Sequence, residues 1–132
     1  MGSPAMNFLV GTAQDGKISS PSFTVQPDSE LVQKLQRHNG QKVYFGIRPE
    51  DLGLRGVDDI PEANNVIKAT VEVVEPLGAE TQIIASVDGD QTLVARVDAH
   101  ARVAPGDRVE LLADTTKMHA FTLESEDNVR FA

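Results

Sequence analysis

The chain has 132 residues, no cysteine, and 12 Lys and Arg against 20 Asp and Glu, a formal charge of −8. That length suits one domain, with room for one compact core or two small fused β units and none for a separate catalytic domain. The charge repels phosphate backbones and anionic lipid and so argues against nucleic acid as a partner; the missing cysteines exclude disulfides, thiolate zinc sites and a cysteine nucleophile, and fit a cytoplasmic setting. No apolar run approaches the roughly 20 residues that span a bilayer, and the N-terminus lacks a secretory signal, so the chain reads as soluble.

Most of the sequence reads as short strands rich in Val, Ile, Thr and Phe, separated by Gly, Pro, Asp and Asn. The expected fold is all-β, of the OB type: barrels of short antiparallel strands with one short helix. The first turn falls at Asp15-Gly16, inside Gly11-Thr-Ala-Gln-Asp-Gly16-Lys17. That stretch has the glycine spacing and lysine of a phosphate-binding P-loop, but Ile18 stands where a Mg²⁺-holding hydroxyl is needed. It reads as a hairpin turn. Ser19, Ser20 and Ser22 follow near Pro21 without the glycine pattern of a nucleophile elbow.

Next, Pro27-Asp28-Ser29-Glu30 offers helix-start residues, and Leu31 and Leu35 recur at helical spacing, which predicts one helix from about Asp28 to His38. It should stop at Asn39-Gly40, ahead of a strand over Lys42 to Arg48. The segment Leu54 to Asn65 has little periodicity and reads as a linker. The first β unit then covers about 5–53, the linker about 54–65 and the second β unit about 66–132. In the second unit Ala69, Val71 and Val73 alternate with Thr70 and Glu72, and the same period of two recurs at Leu93, Ala95 and Val97 and at Val109, Leu111 and Ala113. One face of each strand should be buried, with turns at Asp88-Gly89-Asp90 and Pro105-Gly106-Asp107.

Candidate chemistry is sparse. His38, His100 and His119 fall in different predicted elements, with no pair at a metal-ligand spacing. The acidic groups at Asp58, Asp59 and Glu62 and at Glu124, Glu126 and Asp127 read as solvated surface, because one Tyr, five Phe and no Trp supply little lining for a catalytic cleft. No catalytic, cofactor or metal residue is assigned.

Three blocks carry a resemblance. Gly46-Ile47-Arg48-Pro49-Glu50-Asp51-Leu52 resembles the Gly-Ile-Arg-Pro-Glu block in the C-terminal regulatory, transport-associated OB domain of ABC importer ATPase subunits of the maltose, sn-glycerol-3-phosphate and trehalose type. Val73-Val74-Glu75-Pro76-Leu77-Gly78-Ala79-Glu80-Thr81-Gln82 is similar to that family's Val-Val-Glu-x-Leu-Gly-x-Glu-Thr segment, and Met118-His119-Ala120-Phe121 to its His-x-Phe strand. Gly2-Ser3-Pro4-Ala5-Met6-Asn7-Phe8-Leu9 is similar to the passage from ATPase cassette to regulatory domain.

The resemblance implies a regulatory and dimerising domain without chemistry of its own. ATP and Mg²⁺ would belong to a cassette that this chain lacks. The implied partners are a second copy of the chain, its own cassette, the importer's membrane permeases through that cassette and, in some members, a sugar phosphotransferase regulatory protein. The implied place is the inner face of the cell membrane. Interface candidates are Gly46, Ile47, Arg48, Pro49 and Glu50, and Leu77, Gly78, Glu80 and Thr81. Two other classes stay open: a small-ligand sensor of oxyanions or sugars, for which an acidic chain offers little, and a small stand-alone hydrolase.

Overall fold

The computed structural model describes residues 6–58, 60, 65–114, 116 and 118–122. The Gly2-Ser3-Pro4-Ala5 segment, Asp59, Glu62, Glu124, Glu126 and Asp127 lie outside them. Among the described residues the architecture is all-β: strands β1 (Asn7–Gln14), β2 (Lys17–Ser20), β3 (Phe23–Val25), β4 (Lys42–Ile47), β5 (Leu52–Leu54), β6 (Val66–Pro76), β7 (Glu80–Val87), β8 (Gln91–Asp98), β9 (Arg108–Ala113) and β10 (His119–Thr122), with one helix, α1 (Ser29–Leu35). They form one curled antiparallel sheet in the order β10-β4-β1-β2-β3-β6-β7-β8, with β9 paired to both β5 and β6. The strands of the two predicted stretches interleave: β5 pairs with β9, and β10 returns to pair with β4. No helix of the described residues is long and apolar enough to cross a membrane.

Local signals act as the sequence predicts at the first turn and the helix. Asp15 and Gly16 both take positive φ, 53° and 76°, in a two-residue hairpin closed by the pair Gln14 and Lys17. The P-loop-like stretch is therefore strand, turn and strand. The Asp28 carboxylate accepts from the Leu31 amide at 3.0 Å and caps α1, whose Leu31 and Leu35 are buried, and a 3₁₀ turn over Gln36–His38 carries the helical segment to its expected end. The helix packs over the first turn, since a Cβ on Gly16 would stand 2.5 Å from Val32 Cγ1.

The period-two reading holds for β8, where Leu93, Ala95 and Val97 are buried, and fails in β6. Ala69 and Val71 face the core, but Val73 is 42% exposed. The cause is a β-bulge: Val71 pairs with Ala85 and Val73 with Ile84, so Glu72 is an extra residue that turns the rest of the strand over. Val74 packs against the core in place of Val73. The predicted linker is also more built than its composition suggests. Leu54 belongs to β5, and the Asp58 carboxylate accepts from the Leu54 amide at 2.8 Å and from the Asp98 amide at 3.1 Å, tying this turn to the end of β8.

The curled sheet is joined between β1 and β8 by side chains. Among the described residues, β1 from Asn7 to Gly11 has β4 on one edge and no strand on the other, and β8 is the last strand of the order. Asn7 Nδ2 donates to the Val94 carbonyl at 2.7 Å while the Val94 amide donates to Asn7 Oδ1 at 2.8 Å. The Val10 amide donates to Gln91 Oε1 at 2.6 Å, and Gln91 Nε2 to the Val10 carbonyl at 3.5 Å. Each amide side chain imitates a strand residue, giving and receiving one bond, so half-buried edge groups are satisfied where backbones do not meet.

Two stability predictions follow from these contacts. Asn7→Ala leaves the Val94 amide and carbonyl without their partner and should cost about 1 to 3 kcal/mol in urea denaturation, more than Gln91→Ala, whose second bond is long. Gly16→Ala should cost more than Gly89→Ala by about 1 kcal/mol or more, because both glycines hold positive φ but only Gly16 faces a side chain. Pairing Gly16→Ala with Val32→Ala should narrow that gap, which a double-mutant cycle measures.

Candidate interface site

The structure separates the candidate residues into two groups. Gly46 lies inside the sheet, paired with Phe8 on β1 and with His119 on β10, and Ile47 is fully buried. Arg48 is extended, φ −81° and ψ 152°, as the following proline requires, and Pro49 is buried at the start of a 3₁₀ turn over Pro49–Asp51. The Asp114 amide closes on the Asp51 carbonyl at 2.9 Å. Only Arg48 and Glu50 of this block reach solvent, on either side of buried Pro49.

At the other block the Leu77 amide donates to the Glu80 carbonyl at 2.8 Å, and Gly78 sits at φ 90° with open space where a Cβ would be. Leu77 is 50% exposed, and Gly78 and Glu80 face solvent. Thr81, the remaining candidate of this block, does not face solvent. It is the second residue of β7, 5% exposed, and faces inward because alternation along the strand begins with Glu80 outside. The bulge brings out a residue that the sequence reading missed: beyond it Val73 is exposed, as Leu77 is in the β6–β7 turn. Nothing in the apolar alternation marks Glu72 as the inserted residue.

Strand β8 runs between the two blocks. The 3₁₀ turn holding Glu50 packs against it, and Glu80 is the cross-strand partner of Asp98 at its end. Asp98 accepts from the His100 backbone amide at 2.7 Å and meets His100 Nδ1 at 3.0 Å. The backbone bond first, then the side-chain bond, holds this carboxyl below its usual 3.8. A lowered folded-state value means the contribution is present above the unfolded value and is lost as pH falls through the folded one. Asp98→Asn should therefore lower the denaturation midpoint slightly in the neutral region, where the contribution is present, and converge with the wild type in acid well below about pH 4, where that carboxyl is protonated in both states.

The histidines stay apart, His38 in the 3₁₀ turn after α1, His100 beside Asp98 and His119 in β10, and no group of three or more metal-ligand side chains occurs among the described residues. Basic and hydroxyl side chains do converge elsewhere, contrary to what an acidic composition suggests. A groove of about 730 Å³ beside the Ser20-Pro21-Ser22 turn is lined by Lys17, Lys68 and Arg55.

A curled sheet of short antiparallel strands with buried inner faces defines an OB-type β domain. The chain belongs to the TOBE domain family, whose pattern matches residues 45–121. A second pattern, the MalK OB fold domain, matches residues 2–52. The chain is 38% identical over 132 residues to the oligosaccharides import ATP-binding protein MsmX of Bacillus subtilis (strain 168), covering 98% of this chain and 36% of that protein. It is 36% identical over 135 residues to the multiple sugar-binding transport ATP-binding protein MsmK of Streptococcus mutans, covering 98% of this chain and 35% of that one. The alpha-glucoside transport ATP-binding protein AglK of Rhizobium meliloti is 34% identical over 124 residues, 92% of this chain and 33% of its own length. The chain thus spans about a third of the length of these relatives. In fold it is similar to the cytoplasmic molybdate-binding protein ModG, with a TM-score of 0.68 over 92% of this chain and 99% of that one, at 16% identity.

Proposed function

We propose that this chain is the C-terminal regulatory and dimerising region of the ATP-binding subunit of an ABC importer for sugars or glycerol phosphates, with no chemistry of its own. The observation that carries this reading is the 38% identity along 98% of the chain to a sugar-import ATP-binding protein of which the match occupies 36%. In such a subunit ATP and Mg²⁺ bind in the cassette, and the cassette contacts the permeases at the inner face of the membrane. The Gly11–Lys17 stretch, being a hairpin, gives this region no phosphate-binding helix of its own.

Mechanically, an importer's two ATPase domains must part and close repeatedly without drifting away from each other. A lasting contact between the regulatory regions keeps each cassette at an effective concentration that can reach about millimolar for its partner. The contact should be two-fold and isologous. The exposed side chains available to it are Arg48 and Glu50 on one side of β8 and Val73, Leu77 and Glu80 on the other; Gly46, Ile47, Pro49 and Thr81 support it from inside. The Gly78 to Glu80 loop is the place for a phosphotransferase regulatory protein to dock, being exposed and held in shape by its own backbone bond.

With a charge of −8 on each copy, repulsion opposes pairing and salt screens it over roughly 10 Å at about 0.1 M. The isolated chain should therefore form a weak dimer that tightens as ionic strength rises. Sedimentation velocity from low micromolar to near-millimolar protein, at two salt concentrations, tests this. Leu77→Glu should return the chain to monomer, and a wild-type chain that is monomeric at every concentration would remove dimerisation from the proposal.

A further inference from the structure

A second feature stands apart from the interface blocks and does not depend on the importer reading. Strand β6 offers one edge to two partners in succession: Val66 and Ile67 pair with β3, and from Thr70 onward the strand pairs with β7. Between them a single bond, from the Lys68 amide to the Ser22 carbonyl at 3.0 Å, holds the β2–β3 turn against the strand. The turn itself is shaped by the Ser22 amide donating to Ser20 Oγ at 3.2 Å. The groove of about 730 Å³ opens beside this seam. Its size is that of a small-molecule site rather than of a bare ion.

The charges around it oppose those of the molecule as a whole. Lys17 and Lys68 are exposed at its rim, and neither makes an ion pair among the described residues. Arg55 reaches the groove from the turn after β5 and is held by Glu110, Nη1 to Oε2 at 2.8 Å. Glu110 is also the cross-strand partner of Lys68. Among the described lining residues three cations stand against one carboxylate, in a chain of net charge −8. Two lysine ammonium groups give charge-assisted donors for an anion with several oxygens. Ser20, Ser22 and the Glu110 carboxylate offer partners for neighbouring hydroxyl groups.

We propose that this groove binds a phosphate monoester of monosaccharide size, with the phosphate held at its lysine rim and the sugar hydroxyls toward Ser20, Ser22 and Glu110. The phosphate supplies the charge that the rim selects, and the sugar fills volume that inorganic phosphate leaves to water. The same site with its lysines neutralised has hydroxyl partners but no reason to prefer an anion.

Two-dimensional ¹⁵N–¹H spectra of the whole chain test the assignment, titrated with glucose 6-phosphate, glucose and inorganic phosphate to about 10 mM each. The ester should move the amide signals of Lys17, Ser22 and Lys68 saturably, glucose should not, and inorganic phosphate should bind at least about tenfold more weakly than the ester. Lys17→Gln with Lys68→Gln should weaken the ester by about tenfold or more, while Lys34→Gln, on α1, should leave it unchanged. Both groove lysines are exposed, so the variant's signal dispersion reports directly that it is folded, and Lys68→Gln alone gives the reading should the pair disturb it. No saturable shift with the ester, shifts centred elsewhere, equal binding of glucose or of inorganic phosphate, or an unaffected double variant would each overturn the proposal.

Discussion

A backbone edge can pair with only one strand at a time, and β6 is the place where this constraint shapes the whole domain. One of its edges carries β9 from Val66 to Thr70; the other carries β3 first and β7 afterwards. The same strand is thereby a member of the early sheet and of the later one, and the core runs through it without a break, from Leu9 and Phe45 to Ile83 and Leu111. The handover leaves a short stretch around Lys68 where one hydrogen bond replaces a ladder, and the groove lies there. A bulge at Glu72 follows within a few residues, as bulges commonly do where pairing changes or a strand must bend.

Closure between β1 and β8 solves a related problem. Two strands that approach without pairing leave amides and carbonyls with neither water nor partner, at a cost comparable to a lost hydrogen bond for each group. Asn7 and Gln91 meet that requirement with side chains that donate and accept at once, linking positions 87 and 81 residues apart in sequence. The Asp58 carboxylate, as an acceptor only, satisfies the Leu54 and Asp98 amides at the turn after β5. These polar side chains act as pieces of sheet, so the domain closes around an apolar core with little need for aromatic residues; Phe23 and Phe45, with ring centres 5.8 Å apart, supply one such contact.

The two interface blocks are related to these features in different ways. Gly46, Ile47 and Pro49 are buried where β4 is sandwiched between β1 and β10, so a distinctive sequence there records packing as much as contact with any partner. The β6–β7 hairpin owes the exposure of Val73 to the bulge, and Leu77 is exposed in the turn beyond the strand. Exposed apolar residues on a hairpin tip are the kind of surface that a partner covers.

What the sequence alone determined about this protein is local. Turns at Asp15-Gly16, Asp88-Gly89 and Pro105-Gly106, the Asp28 cap and the Leu31 and Leu35 face, and the alternation in β8 are set by residues a few positions apart, and so they were legible. The all-β class and the family resemblance around Gly46 to Glu50 followed from the same short-range patterns. Tertiary structure alone decided which strands share an edge, because pairing is chosen by contacts between residues far apart. It therefore decided that Glu72 is the bulged residue and Val73 the exposed one, and that Thr81 faces inward. It also decided that Asn7 and Gln91 serve as strand surrogates, and that Lys17, Arg55 and Lys68 line one groove. None of these carries a local signature: a polar side chain looks the same in sequence whether it meets water or a distant backbone, and only the closed sheet supplies that partner.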